Sequence, residues 1–412
     1  MYYKQSGKDR YSHADADISE SINSEGTEIQ RLKLQLLATG KFRNVEYLSS
    51  GSFGHVYSAY DEGISLTVQV SQQSIINKLD LFDERSVKKP NCAIKVERIS
   101  SEGDSRLHAE YFILQRLQEL SVHHPNFNNQ NEIEGKMANI YGFPRVFSYG
   151  RLTNSKYLSM DLLGDNLATL VKRCGGSFTQ KTIMMIALQC IERLRDLHYI
   201  GYLHRDVKPE NILIGSTETT KAILYFVDFG LAKAFNAQRS GRHDGFHVGM
   251  AGTLRYASVY TIAGEQQSFR DDMISLTYSL SFLASGRLPW QGMKVQRTGS
   301  TDIKHSRRKK VLEIKKSTPL QELCKHFPPD LTKVVEHIHS LGFFTMPSYA
   351  NYISWIKEFF DRRGDKFDYN YDWDDKDQTN IRLRSDSSAR TLSRAGPETS
   401  LIPIEESQKC DT

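Results

Sequence analysis

The stretch His204-Arg-Asp-Val-Lys-Pro-Glu-Asn211 puts a carboxylate, an ammonium and an amide within eight positions. Pro209 cannot continue a helix, so the stretch reads as a loop. The Asp206 carboxylate can accept a hydroxyl proton, Lys208 can neutralise a phosphoryl group in transfer, and Asn211 offers an amide oxygen to a hard cation. Seventeen residues beyond Asn211, after the apolar run Ala222 to Val227, comes Asp228-Phe-Gly230, a second oxygen ligand at a strand end. Upstream, Gly51-Ser52-Phe53-Gly54 lies between two predicted strands, where glycines let backbone N–H groups approach phosphate oxygens. A plain hairpin turn would read the same. Cys92-Ala-Ile-Lys95 reads as a strand with Ala93 and Lys95 on one face and Ile94 on the other. On the following helix Glu110 shares its face with Leu107 and Leu114, so it points inward and needs a cation, which Lys95 can supply while holding phosphates. A glycine loop, a strand lysine, a loop carboxylate and a second metal-binding carboxylate, in this order, match the signature set for phosphoryl transfer.

The elements that must position these groups follow from the apolar periodicity. Strands are predicted at Phe42 to Leu48, around Val56, Ser58 and Tyr60, at Cys92 to Glu97, at Val146–Tyr149 and at Tyr157–Asp161. A helix is predicted over about 104–120, with Leu107, Tyr111, Leu114 and Leu117 on one face. From residue 165 onward helices dominate, and Ile183, Met184, Ala187, Ile191, Leu194 and Leu197 trace a buried one. Residues 62–89 and 121–141 read as loop insertions. The polar segment 1–35 and the Ser- and Arg-containing tail 374–412 read as disordered extensions.

Composition narrows the class. With 412 residues, 39% hydrophobic and 25% charged, the chain is neither fully disordered nor a fibrous rod. No apolar run spans a membrane, and Met1 to Ser24 lacks the apolar core of a secretory signal. Five scattered cysteines argue against a disulfide framework or a zinc site and for a reducing compartment, cytoplasmic and/or nuclear. The net charge of +5 is concentrated between the ends, where Lys294 to Lys316 holds nine Lys/Arg against two acids. Such a run predicts an anionic partner or a solvated face. The run 304–310 lacks interleaved aromatics, so a nucleic-acid partner is not expected, and a localisation signal is an alternative for His305-Ser-Arg-Arg-Lys-Lys310.

The sequence resembles the casein kinase I family of eukaryotic serine/threonine protein kinases. An Ala-Pro-Glu stretch is absent, and in its place stand Gly252-Thr-Leu-Arg-Tyr-Ala-Ser258, Arg270-Asp-Asp272 and Leu288-Pro-Trp-Gln-Gly292. Leu107-His-Ala-Glu110, Ser317-Thr-Pro-Leu-Gln-Glu-Leu-Cys324 and the closing Tyr369-Asn-Tyr-Asp-Trp373 are similar to that family too, so the resemblance covers roughly 36–373. It implies an α+β, two-lobed kinase fold, with a small, mainly antiparallel β lobe over about 36–160, a large helical lobe over about 161–373, and ATP with Mg2+ in the cleft. By the same resemblance Lys95 contacts the nucleotide phosphates and pairs with Glu110, and Asp206 is the proton acceptor. Lys208 contacts phosphate, and Asn211 and Asp228 hold the metal. Ser49, Gly51, Ser52, Phe53, Gly54, Val56, Ala93, Met160, Asp161 and Leu163 surround ATP, with Asp161 to Leu163 as the hinge. Asp272 braces the catalytic loop. Arg255, with Arg307 and Arg308, is the expected anion site for substrates carrying acidic or phosphorylated priming residues. The resemblance implies a monomer acting on Ser and Thr of proteins. The rival is a catalytically weak or inactive scaffold of the same fold, whose usual marks (loss of the strand lysine or of either aspartate) are absent. Two departures stand out: Ser49 replaces the first glycine of the phosphate loop, and Ser258-Val-Tyr260 replaces Ser-Ile-Asn.

Overall fold

The computed structural model describes residues 26–51, 54–64, 89–99, 105–123, 142–235, 250–293, 303–364 and 367–374. Its first part is a five-stranded antiparallel sheet, β1 (Phe42–Gly51), β2 (Gly54–Asp61), β3 (Cys92–Arg98), β4 (Val146–Arg151) and β5 (Ser155–Asp161), in the spatial order β1-β2-β3-β5-β4. Strand β3 alternates as its sequence requires. Cys92, Ile94 and Val96 enter one apolar cluster with Phe42, Val45, Tyr57 and Ala59, while Ala93 and Lys95 face the other way.

That cluster is closed by a helix the sequence reading did not foresee. Helix α1 (26–38) sets Leu32 and Leu36, four positions apart, into the cluster, and the Tyr57 hydroxyl donates to Ile29 O at 3.1 Å. The expected extension 1–35 is therefore corrected: from residue 26 the chain is folded, because two buried leucines per two turns suffice to hold a helix on an apolar sheet face even in a polar segment. Leu36 is fully buried, so Leu36→Ala should cost roughly 2–5 kcal/mol. Urea denaturation checks this, and an unchanged midpoint would show α1 to be dispensable to the sheet.

Helix α2 (Arg106–His123) begins where Ser105 donates to Glu97 at 2.6 Å and accepts from the His108 N–H at 3.2 Å. Glu97 also accepts from the Leu107 N–H at 3.2 Å. The helix start is thus tied to β3, the strand that carries Lys95, and Glu110 lies one turn on. The helix runs three residues into the stretch expected as a loop from 121. The remainder of that stretch, the segment 65–88 of the other expected insertion, and the tail after 374 lie outside the described residues.

The second part is mainly helical. β6 (Leu163–Asn166), β8 (Ile212–Gly215) and β9 (Leu224–Phe226) make a small sheet, and β7 (Tyr202–Leu203) pairs with β10 (Lys233–Ala234). Around them stand α3 (Leu167–Arg173), α4 (Gln180–Tyr199), α5 (Val259–Ala263), α6 (Phe269–Ser285), α7 (Ile303–Ser317), α8 (Leu320–Leu323), α9 (Pro329–His339) and α10 (Tyr349–Arg363). α4 and α6 are buried along most of their lengths. The closing stretch clasps α4: Asp372 accepts from the Thr179 N–H (2.6 Å) and hydroxyl (2.8 Å), and Tyr371, stacked on Trp373 at 4.3 Å, accepts from Gln189 at 2.6 Å. The two-lobed α+β architecture expected from the sequence is the one observed. No helix among the described residues is long and apolar enough to cross a membrane.

Candidate active site

Lys95 Nζ lies 2.6 Å from Glu110 Oε2 and 2.6 Å from Asp228 Oδ1, joining β3, α2 and the start of the segment after β9. Burial works against the Lys95 ammonium, yet the two carboxylates beside it raise its pKa above the ordinary lysine value. Burial also pushes Glu110 above the usual carboxylate range, with Lys95 pulling the other way. For Asp228 the balance reverses: burial opposes the charge, but Lys95 prevails and the pKa falls.

Asp206 precedes, and Asn211 closes, a short 3-10 turn, Pro209–Asn211, in which proline occupies a position that needs no N–H donor. Asp206 is nearly buried and held by both oxygens. The Thr253 N–H donates to Oδ1 at 2.8 Å, and Lys208 Nζ donates to Oδ2 at 2.5 Å. Lys208 also donates to Thr253 Oγ1 at 3.1 Å. Asn211 Nδ2 donates to Asp206 O at 3.0 Å, which fixes the amide so that its oxygen is the end left for a cation.

Beneath the loop, Asp272 of α6 accepts from the His204 N–H (2.7 Å), the Arg205 N–H (2.8 Å) and His198 Nε2 (2.9 Å). Burial penalises the Asp272 charge, but the His198 hydrogen bond and the backbone donors hold its pKa below the usual value. His198 Nδ1 meets the Tyr349 hydroxyl of α10, and His204 Nε2 lies 3.1 Å from Val227 O. Arg205 adopts φ +69° and Asp228 φ +66°, both left-handed and both non-glycine. Arg205 Nε donates to Gln267 Oε1 at 2.6 Å. Gly252, at φ +93°, passes so close to the loop that a Cβ there would stand 2.3 Å from Arg205 O.

Of the residues expected around ATP, Ser49 pairs with Val56 and Gly51 with Gly54 across β1 and β2, and Val56 is opposite Lys95. Gly54, at φ +138°, lies against Val96 O, where a Cβ would be only 1.9 Å away. Ser52 and Phe53 lie outside the described residues. Ala93 faces Met160 across β3 and β5, and Leu163 opens β6. Asp161 is held by Arg145, whose N–H donates at 2.7 Å and whose guanidinium pairs at 2.9 Å.

The expected anion site is only partly assembled. The Arg255 guanidinium lies 5.8 Å from the Tyr256 and Phe282 rings, and Arg307 is exposed on α7. Arg308 instead donates through Nε to Ile262 O at 2.8 Å, so this residue holds the end of α5 and that nitrogen is taken. Tyr260, where Asn was expected by resemblance, lies under the Arg270 guanidinium at 3.4 Å and is a packing residue.

Sequence reading missed Thr253, His198, Gln267 and Tyr349. Thr253 acts on Asp206 through its backbone N–H, which no residue type marks. Gln267 lies three residues before Arg270-Asp-Asp272, and nothing in its type marks it as a partner of Arg205.

Asp228 and the fixed Asn211 oxygen are hard donors suited to a divalent cation. Among the described residues no group of three or more His, Cys, Asp or Glu is arranged to hold a metal, so these two oxygens alone would leave most of the coordination shell to phosphate and water. A family model, Protein kinase domain, matches residues 92–341, more than half of the chain, and takes in Lys95, Glu110, Asp206, Asn211 and Asp228.

Proposed function

The chain belongs to the protein kinase family, and from that premise we propose a serine/threonine kinase of casein kinase I type, acting with ATP and Mg2+ on hydroxyls near acidic or phosphorylated residues. Family membership carries phosphotransferase activity on proteins, with ATP and a divalent metal. The observation that carries the finer reading is the Asp206–Lys208–Thr253 cluster. Thr253 begins the stretch that carries Arg255, and its N–H sits 2.8 Å from the Asp206 carboxylate. Thr253 and Lys208 both rest on the Asp206 carboxylate, so the segment 253–258 and the proton acceptor share one site, which supports a short hydroxyl side chain as acceptor. The Gly252-to-Ser258, Trp290-Gln-Gly292 and closing Tyr-Trp stretches support the subfamily assignment.

ATP would supply the phosphoryl group, and a divalent cation, which Asn211 and Asp228 would hold, would offset charge on the phosphates. Asp206 orients the acceptor hydroxyl and takes its proton. Lys208, shared between Asp206 and Thr253, offers positive charge where the phosphoryl group passes. Lys95, fixed by Glu110, holds the phosphates in line. The contribution of the protein is mostly position and electrostatics.

Arg255 is the residue proposed to read a priming phosphate. Charge-assisted hydrogen bonds contribute roughly 1.5–3 kcal/mol each. Arg255→Ala should therefore raise KM for a primed peptide about tenfold or more, with little change for the unprimed version. Equal losses on both peptides, measured at two salt concentrations, would show that Arg255 supports the loop and does not read phosphate.

A further inference from the structure

α7 carries most of the basic run, and the structure divides it between two faces. His305, Arg307, Lys309, Lys310 and Lys316 are exposed, whereas Arg308, Val311 and Lys315, spaced three and four apart, turn inward. Lys315 is only 5% exposed, and none of the ion pairs among the described residues includes it. Its Nζ donates to three backbone carbonyls, Leu254 O (3.2 Å), Arg255 O (3.0 Å) and Ala257 O (2.5 Å). The Tyr278 and Trp290 rings lie 4.4 and 4.6 Å from the same ammonium. Trp290 also donates through Nε1 to Arg255 O at 2.7 Å.

An ammonium has three donors and no acceptor, and here all three donors are matched by carbonyls of one turn. Burial pushes the Lys315 pKa well below the ordinary lysine value, and the three carbonyls with the two ring faces are the groups placed to oppose it. The turn so held, 254–257, follows directly on Thr253, whose N–H rests on Asp206. Residues 253–257 are thus pinned at one end by the catalytic loop and along their length by α7. Arg308 extends the grip to Ile262 O at the end of α5. The chain lacks an Ala-Pro-Glu stretch, and here the segment is gripped through its backbone carbonyls by Lys315 and Trp290.

We propose that Lys315 is a positioning residue for substrate: by gripping the carbonyls of 254–257 it fixes the segment on which the acceptor peptide lies, without touching substrate or nucleotide. This rests on the kinase reading above and adds the anchor of its peptide-binding segment. Lys315→Met keeps the stem and removes the donors. It should raise peptide KM about tenfold, as expected for lost hydrogen bonds to a charged group, on primed and unprimed peptides alike, with KM for ATP within about twofold. Amide hydrogen exchange across 253–258 should quicken at least about tenfold while the sheet around Lys95 is unchanged. Lys315→Arg should not rescue, because a planar fork cannot direct its donors to three carbonyls of one turn. Unchanged KM and exchange in Lys315→Met, or full activity in Lys315→Arg, would overturn the proposal. Should Lys315→Met fail to fold, Trp290→Phe decides: it keeps an aromatic ring but loses the bond to Arg255 O, and must show the same pattern at about threefold. The absence of that pattern would equally overturn the proposal. Failure of the wild type to phosphorylate either peptide would strike at the serine/threonine reading, whereas the exchange measurement would still decide on Lys315.

Discussion

Asp206→Asn is expected to lower phosphoryl transfer by about 10²–10⁴-fold, the usual share of a positioned acid–base group, while nucleotide affinity stays within about twofold. The substitution is close to isosteric, so the buried site is not emptied. The asparagine oxygen can still accept from the Thr253 N–H, which lies 2.8 Å from Asp206 Oδ1. The other terminus becomes an NH2 group facing Lys208 Nζ, now 2.5 Å from Oδ2, so two donors meet and the lysine must turn away. The loss is thus twofold in kind: no group takes the hydroxyl proton, and Lys208 leaves the path of the phosphoryl group. Labelled-phosphate transfer and nucleotide calorimetry on the same preparation separate the two quantities. Near wild-type turnover would sink the assignment of Asp206. Tight nucleotide binding beside lost turnover would also leave the scaffold reading without support for the wild type.

The second large effect is expected at Lys95→Met, on activity and on stability. The ammonium bridges Glu110 and Asp228, each at 2.6 Å, and Glu110 is only 2% exposed. Breaking a buried pair by removing one member costs roughly 3–5 kcal/mol, because the remaining charge is left without compensation. Glu110 can limit that cost by taking up a proton. Its pKa already lies above the ordinary range through burial, with Lys95 as the main force holding it down. Without Lys95 it rises further. A carboxyl whose folded pKa exceeds its unfolded value adds stability that is complete below the unfolded pKa, about 4.3, and lost as pH rises through the folded one. The mutant should therefore lie closest to wild type near pH 5 and fall furthest behind near pH 8, in a series of denaturation curves. A gap of the same size at both pH values would mean that Glu110 does not carry the penalty. Transfer should drop by about 10²-fold or more, as for loss of one charged donor to a phosphate.

The cleft was far more legible in the sequence than its supports. Lys95, Glu110, Asp206, Asn211 and Asp228 could be picked out because their chemistry demands particular side chains in a particular order. Glu110 in addition stood among leucines, which forced it inward. The strands announced themselves through alternation, as β3 does with Cys92, Ile94 and Val96 on one face. α1 escaped because Leu32 and Leu36 lie just beyond a strongly polar stretch, and composition averaged over that stretch hides a stripe two residues wide. Lys315 escaped for a different reason. In a run of nine cations nothing in its residue type sets apart the one that is buried. The donors of Thr253, His204 and Arg205 are backbone N–H groups, common to every residue but proline, and only the folded path of the chain shows which of them face a carboxylate.

The left-handed backbone at Asp228 has a consequence of its own. A non-glycine residue held at φ +66° stores on the order of 1–2 kcal/mol. Its carboxylate is held by the ammonium of Lys95 at 2.6 Å, while the flanking backbone is held by the Val227 N–H on Asn211 O at 3.0 Å and by the buried Phe229. Loss of the lysine is expected to free the carboxylate, and the strain stored at Asp228 then lowers the cost of opening 227–230. Faster amide exchange at 227–230 in Lys95→Met than in Asp206→Asn would register that strain, and equal exchange would show it to play no part.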